Sequence, residues 1–163
     1  YVFSGKERHT VCREGDLPYP QRAIRDSSFL YIQNFEPDRW PAGSPYIKSS
    51  HGWEYGDIDL SPTFNFMQNN TDNINVKRLL DFATEKRPHE ELFDITNDPY
   101  CQNNLIDNVL YEPHKIRLSE ALNTYLVKTK DPRLTNEKPP WDSYPYYFKN
   151  PKGIIPYHNS RNE

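Results

Sequence analysis

Prolines limit how long any helix or strand of this chain can be, because 15 of them are spread over its 163 residues. Proline lacks a backbone N–H and fixes its own φ, so regular elements end near most prolines. Aromatic residues make up 14% of the same chain, which is more than a disordered chain typically carries. We therefore expect one domain with a modest core and long loops that are stiffened by proline and rich in tyrosine.

The charge balance excludes some functions. Lysine and arginine number 20 against 23 aspartates and glutamates, which gives a formal net charge of −3. Such a chain has no excess positive charge to neutralise a phosphate backbone, so general nucleic-acid binding is not expected. No apolar run approaches the roughly 20 residues that a membrane-spanning helix needs.

Short β-prone runs predict an antiparallel sheet. Two such runs flank a polar turn at residues 26–28, and they predict a hairpin over residues 22–33. Residues 91–95 alternate between polar and apolar side chains and predict a further strand. The apolar residues 1–3 predict a short strand that ends at Gly5.

Two later segments have the 3.6-residue period of a helix. The first covers residues 75–85, and Asp72 or Asn73 is its expected N-cap. The second covers residues 113–129, where proline suits the first helical position and Asp131-Pro132 ends the helix. The predicted apolar stripes are Val76, Leu79, Leu80 and Ala83 on the first helix, and Leu118, Ala121, Leu122, Tyr125 and Leu126 on the second.

These elements predict an α+β fold in which a small antiparallel sheet packs against the helix at 113–129. The helix at 75–85 and the long loops are expected to cover the rest. Residues 34–65 read mostly as loop, and an irregular stretch of that length is usually functional or packs on a partner. The last segment, 135–163, predicts an extended tail rich in proline and tyrosine.

Several motifs together resemble a known family. The pattern E-L-F-D-I at 91–95, followed by D-P at 98–99 and N-L at 104–105, resembles a signature of the C-terminal region of type I sulfatases. The segments 19–25 (Y-P-Q-R-A-I-R) and 29–43 (F-L-Y-I-Q-N-F-E-P-D-R-W-P-A-G) look like the subgroup of N-sulphoglucosamine sulphohydrolase, or heparan N-sulfatase. Further segments match that subgroup in the same order along the chain: residues 5–9, 55–59 with 61–63, and 129–133. The resemblance therefore covers roughly residues 2–134.

The resemblance implies a larger enzyme of the alkaline phosphatase superfamily. Its N-terminal catalytic domain holds calcium and a formylglycine, which is made from Cys or Ser in a C/S-x-P/A-x-R motif. Its C-terminal subdomain has a four-stranded antiparallel sheet and a long helix, and loops of that subdomain help to shape the substrate pocket. By this resemblance, residues 1–134 are the subdomain, residues 1–5 end the sheet of the preceding catalytic domain, and 135–163 form a tail.

The same resemblance implies partners and a location. The partners are the N-terminal sulfatase catalytic domain and a sulfated saccharide, hydrolysed at a sulfate ester or an N-sulfate. The location is periplasmic or secreted, or lysosomal in a eukaryote. Since the chain starts at Tyr1 without an initiator methionine or a basic leader segment, we expect it to be a piece of something larger.

The chain departs from the family at the catalytic motif. Cys12 is followed by R-E-G-D and Cys101 by Q-N-N-L, and neither fits C/S-x-P/A-x-R. No acidic cluster matches the calcium ligands, and the scattered histidines lack the spacing of a zinc site. We therefore expect no catalytic residue, no metal ligand and no cofactor in this chain, and no sulfate hydrolysis by this chain alone.

Four basic residues are candidates for binding the substrate. Lys6, Arg8 and His9 directly follow the first strand, where they either face the pocket of the complete enzyme or form a solvated turn. Arg22 and Arg25 lie on opposite faces of a predicted strand. Arg22 therefore either faces the pocket, where its planar fork suits sulfate, or serves as a structural ion-pair partner.

Other residues also allow two interpretations. Asp57 and Asp59 suit acid–base chemistry or the capping of turns. Cys12 and Cys101 are interpreted as two unlinked thiols rather than a disulfide. The tryptophans either stack on sugar rings or anchor loops; they are Trp40, Trp53 and Trp141.

A second function is compatible with the same features. The chain could be a free-standing, non-catalytic module that binds sugars through its aromatic loops or serves as an interaction module. An enzyme with its own active site is not favoured, because no nucleophile–base pair is evident in the sequence.

Overall fold

A computed structural model describes residues 1–49, 52–135, 138–150 and 153–157. Its centre is an antiparallel sheet whose four strands are adjacent in the same order as in the chain. This confirms the predicted α+β class and the antiparallel sheet. The strands are β1 (Val2–Lys6), β2 (Gln21–Arg25), β3 (Phe29–Asn34) and β4 (Glu90–Asp94).

The β2–β3 hairpin forms because its turn is closed by a side chain. The Oδ1 atom of Asp26 accepts hydrogen bonds from the backbone N–H groups of Ser28, at 2.8 Å, and Phe29, at 2.7 Å. An aspartate that bonds its own turn in this way is a strong local signal. The hairpin predicted over residues 22–33 is thus confirmed, with bounds that differ by one residue at each end.

Strand β1 belongs to this chain's own sheet. Residues 1–5 were expected to end the sheet of a preceding domain, but Val2 lies opposite Arg25 and Lys6 lies opposite Gln21 in an antiparallel pairing with β2. The physical reason is that β2 offers an open edge of backbone donors and acceptors, and β1 satisfies them. β1 is therefore an edge strand of the described sheet, and the expected pairing with the sheet of a preceding domain stays a prediction.

The helices are α1 (Pro62–Asn69), α2 (Ile74–Thr84), α3 (Glu112–Thr129) and α4 (Pro132–Thr135), with short 3-10 turns at Glu14–Asp16, Val109–Tyr111 and Pro140–Asp142. Helix α3 is the predicted second helix, and Lys130 in the left-handed conformation, with φ of 54°, ends it. The α3 leucines pack on one face of the sheet and form the core, which consists of Ile24, Phe29, Tyr31, Leu92, Leu118, Leu122 and Leu126.

Helix α2 confirms the other helical prediction in part. Asn73 caps it, since its Oδ1 atom accepts from the backbone N–H groups of Asn75 and Val76. Its predicted apolar stripe is only partly covered, because Leu79 remains 42% exposed.

Helix α1 was not predicted, because its residues read as part of the long loop. Ser61 caps it by accepting from the Phe64 N–H at 3.1 Å, and Pro62 occupies its first turn. These are the usual residues for a helix start. Phe64 then turns inward, is 3% exposed and meets the Tyr55 ring edge-on at 6.0 Å.

The C-terminal segment contains a second, two-stranded sheet formed by β5 (Tyr146–Asn150) and β6 (Gly153–Tyr157), where an extended tail was predicted. Parts of that predicted tail, residues 136–137, 151–152 and 158–163, lie outside the described residues. Among the helices that the structure describes, none is long and apolar enough to cross a bilayer.

Candidate functional site

A second packed region lies where β1 runs into the loops of the N-terminal half. Cys12 is 1% exposed, and its carbonyl accepts from the Ser44 N–H at 2.8 Å. Gly43 and Gly56 close against it: a Cβ added at Gly43 would lie 2.7 Å from the Gly56 nitrogen. Gly43 also has φ of +94°, which side chains other than glycine rarely adopt. These contacts hold the loops around residues 12, 43 and 56 in one arrangement.

Asp57 lies at the edge of this packed region. Its backbone N–H donates to the Ala42 carbonyl at 3.1 Å, and its side chain is 2% exposed. The Arg13 guanidinium, 3% exposed, pairs with the Oδ2 atom of Asp57. Without such a partner, a buried carboxylate would be an uncompensated charge and would strongly destabilise the fold.

Two further basic side chains reach the same carboxylate. The Nζ atom of Lys6 lies 3.3 Å from Oδ2 of Asp57, and the Nδ1 atom of His9 lies 3.6 Å from Oδ1. Both come from the segment that ends β1. We call Lys6, His9, Cys12, Arg13 and Asp57 the Asp57 cluster.

Backbone carbonyls also accept hydrogen bonds from the cations of the cluster. Arg13 donates to the Trp40 carbonyl through Nε at 2.5 Å and to the Pro41 carbonyl through Nη2 at 2.8 Å. Lys6 donates to the same Pro41 carbonyl at 3.3 Å. Both cations are thus held by one carboxylate and one carbonyl in common.

The electrostatics of the cluster favour an ionised carboxylate and a neutral thiol. Burial on its own raises the pKa of Asp57, but the Arg13 guanidinium and the Lys6 ammonium outweigh burial and leave that pKa below its ordinary value. Burial raises the pKa of the Cys12 thiol to about 12. Two permanent cations therefore face one carboxylate, and Cys12 is no nucleophile at neutral pH.

The inner part of the cluster, Arg13 and Asp57, is buried. Its outer part, Lys6 and His9, is exposed, and we call it the mouth of the cluster. The side chains of Lys6 and His9 are 39% and 67% exposed, whereas those of Arg13 and Asp57 are buried. Within the described part of the chain, Nη1 of Arg13 and Oδ1 of Asp57 have no hydrogen-bond partner. An excess of positive charge at an accessible mouth can bind an anionic group.

The structure brings together two of the four predicted binding residues. Lys6 and His9 are in the Asp57 cluster, but Arg8 and Arg22 are bonded elsewhere. Arg8 donates to the backbone carbonyls of Asp16 at 3.0 Å and Tyr144 at 2.6 Å.

Arg22 is the structural ion-pair partner that the sequence allowed as an alternative. It is 7% exposed and donates to Glu7 and Asp131, each at 2.7 Å. Glu7 also binds Arg133 at 2.6 Å, and Arg133 binds Asp142 at 2.6 Å. We call Glu7, Arg22, Asp131, Arg133 and Asp142 the ion-pair network; it faces the α3 side of the sheet, and its arginines lie over Trp141.

Sequence reasoning missed Arg13 and the ion pair that it forms. Arg13 was not singled out, because it lies in an irregular loop without any periodicity. Asp57 was a candidate for acid–base chemistry or for the capping of a turn, but its carboxylate instead pairs with Arg13, which is far away in the chain. No local pattern in the sequence connects these two residues.

The remaining candidates have structural contacts. Trp53 donates to the Ile58 carbonyl at 3.1 Å and thus anchors its loop. Asp59 is exposed and takes no part in the cluster. Cys12 and Cys101 are free thiols, as predicted. Across the described ranges, no three His, Cys, Asp or Glu residues are arranged to hold a metal ion.

The fold and the cluster define an α+β domain with a basic, accessible mouth beside its edge strand. Over 115 residues, or 68% of this chain, the sequence is 30% identical to an ulvan-active sulfatase of Formosa agariphila. The match spans 17% of that protein. No family model matches the chain. The similarity relates this chain to a region of a sulfatase.

Proposed function

We propose that this chain is the C-terminal part of a sulfatase that acts on sulfated glycans, and that it forms one wall of the substrate pocket. The observation that carries the proposal is the similarity to part of an ulvan-active sulfatase over 115 residues. The segments at 19–25 and 29–43 support the finer assignment to the heparan N-sulfatase subgroup, because their motifs resemble that subgroup in order.

The Asp57 cluster supports a role in binding rather than in chemistry. Lys6 and His9 lie at its mouth, and their side chains are partly exposed. Lysine and histidine suit the sulfate and hydroxyl groups of a sugar, since an ammonium donates up to three hydrogen bonds and an imidazole either donates or accepts. We therefore assign Lys6 and His9 to contacts with an anionic group of the saccharide.

The residues of this chain do not fit the groups that perform sulfatase chemistry. Neither cysteine lies in a formylglycine motif, and Cys12 is buried with a raised pKa. The described residues also offer no calcium site. We assign both groups to an N-terminal catalytic domain as the partner of this chain, in a periplasmic or secreted protein, and derive no catalytic step here.

The first experiment reads the gene upstream of the Tyr1 codon. An open frame that encodes C/S-x-P/A-x-R supports the proposal. In the protein expressed from that frame, we expect the variant with Lys6→Ala and His9→Ala to raise KM for a sulfated oligosaccharide more than it lowers kcat. A stop codon shortly before Tyr1 would overturn the proposal.

A second experiment separates the proposal from the alternative of a free-standing sugar-binding module. It titrates the 163-residue chain with a heparin tetrasaccharide and with its chemically desulfated form. Binding of the sulfated form by a chain that has a stop codon upstream would favour the module. Sulfate release by the chain alone would contradict both.

A further inference from the structure

The buried carboxylate of Asp57 has no role yet in the proposed function, although it contacts both residues at the mouth. It is 2% exposed and therefore cannot itself form a broad contact with a sugar. It is instead in contact with the basic side chains of Lys6, His9 and Arg13, and the Cys12 thiol donates a hydrogen bond to it. A group in this position acts on a ligand only through its neighbours.

Asp57 restrains Lys6. A lysine side chain has several free rotations, and fixing them on binding costs conformational entropy. Here the ammonium is already held 3.3 Å from Asp57 and 3.3 Å from the Pro41 carbonyl. Since an ammonium has three donors, two of them meet these acceptors and one remains for a ligand.

Asp57 also selects one edge of the His9 ring. The Nδ1 atom faces Oδ1 of Asp57 at 3.6 Å, while the side chain as a whole is 67% exposed. A neighbouring carboxylate favours the proton on the nitrogen that faces it, which makes Nε2 the atom offered to a ligand.

Arg13 keeps Asp57 available for both tasks. It pairs with Oδ2, which leaves Oδ1 on the side that faces His9. Arg13 itself is fixed by hydrogen bonds to the Trp40 and Pro41 carbonyls, so the position of the Asp57 carboxylate is fixed as well. Preorganised groups of this kind lower the cost of ordering a binding site.

We propose that Asp57 is a positioning residue, whose carboxylate holds the Lys6 ammonium and the His9 ring in place for contact with a sulfated saccharide. This inference rests on the proposed function in its choice of ligand. Asp57 itself does not touch the ligand and acts only through these two side chains.

The test is a mutant cycle in the 163-residue chain, with the heparin tetrasaccharide as probe. We expect Asp57→Asn to weaken binding by about five- to tenfold. In a background of Lys6→Ala and His9→Ala, the same substitution should change binding less than about twofold, because Asp57 acts through those side chains. An equal loss in both backgrounds, or no loss in the parent background, would overturn the positioning role.

The matched control is Asp26→Asn. Asp26 is also a carboxylate paired with an arginine, Arg117 at 2.6 Å, but it lies at the β2–β3 turn. Its substitution should leave tetrasaccharide binding unchanged.

A second measurement does not depend on the folding of any Asp57 variant. The ring nitrogens of His9 in the parent chain are observed by 15N NMR, and the signals are assigned by their loss in His9→Gln. The neutral ring should carry its proton on Nδ1; a proton on Nε2 would overturn the role of Asp57 toward His9. If the parent chain binds the sulfated and the desulfated tetrasaccharide equally, the proposed binding role fails. The NMR measurement of the proton position on the His9 ring still tests separately whether Asp57 orders that ring.

Discussion

At the scale of single residues, the close approach of loops around Cys12 requires glycine. A Cβ added at Gly56 would lie 2.2 Å from the Cβ of Ser49 and 2.8 Å from that of Cys12. Both neighbours are buried and belong to backbone that is hydrogen-bonded on either side. Neither can move away without displacing a loop, so the packing of this region depends on the missing side chain.

We expect Gly56→Ala to lower the free energy of unfolding by about 1–3 kcal/mol, as overpacking of a tight core does. Urea unfolding followed by tryptophan fluorescence measures this change. The control is Asp59→Ala in the same loop, because Asp59 is exposed and its substitution should change stability by less than about 0.5 kcal/mol. Equal losses for the two variants would show that crowding is not the cause.

Cys12 is expected to resist alkylation in the folded chain. The thiolate is the reactive form, and burial raises the pKa of Cys12 to about 12, so little thiolate exists at pH 8. Cys101 is half-buried and serves as the internal comparison. Mass spectrometry after treatment with iodoacetamide should show modification of Cys101 first, and of both cysteines only in urea. Early modification of Cys12 would contradict the packing described here.

At the scale of elements, helix α3 provides three of the seven residues of the described core on one face of the sheet. Leu118, Leu122 and Leu126 are each at most 2% exposed. Their spacing of four residues places them on one helical face, where they meet Ile24 and Leu92 of the sheet.

Leu122→Ala should therefore cost about 2–5 kcal/mol of unfolding free energy, because it removes apolar contacts and leaves a cavity. Val127→Ala is the control on the same helix, since Val127 is 56% exposed and should change stability by less than about 0.5 kcal/mol. Urea unfolding at pH 7 compares the two. A loss of similar size in both variants would mean that α3 does not pack on the sheet as described.

Helices with a periodic apolar stripe and strands joined by a typical turn residue were predictable from the sequence. The packing of the loops was not. The leucine stripe predicted α3, and Asp26 predicted the β2–β3 hairpin, because these signals act within a few residues. Ser61-Pro62 carried the start signal of α1, but the polar residues after it gave no clear apolar stripe. The Asp57 cluster depends on contacts between loops far apart in the chain, for which no local pattern exists.

At the scale of the whole molecule, the ion-pair network joins distant parts of the chain. It links Glu7, just after β1, to Arg22 of β2 and to Arg133 of α4. For Asp131 and Asp142, burial on its own raises the pKa, but hydrogen bonds from arginine outweigh it and the pKa of each lies below its ordinary value. These carboxylates are therefore more acidic in the folded chain than in the unfolded one.

We expect the free energy of unfolding to fall as the pH drops below about 4, which is close to the pKa of aspartate in an unfolded chain. A lowered folded-state pKa stabilises the fold above the unfolded pKa, and that contribution disappears as the carboxylate is protonated. Urea unfolding at several pH values measures the slope. Asp131→Asn should be less stable at pH 7 and lose less on acidification, whereas the exposed Asp59→Asn should follow the parent. Parallel curves for the parent and Asp131→Asn would contradict this account.

The order of strands in the sheet has a consequence for how the chain assembles. Strands β2 and β3 are joined by a short turn, but β3 and β4 are separated by residues 35–89. Because closing a longer loop costs more entropy and slows the search for a pairing, the hairpin can form well before β4 joins it. In a pulsed hydrogen-exchange experiment during refolding, the amides that pair β2 with β3 should thus gain protection first. The β3–β4 pairing, and with it the docking of α3, then completes the domain as a late and single step.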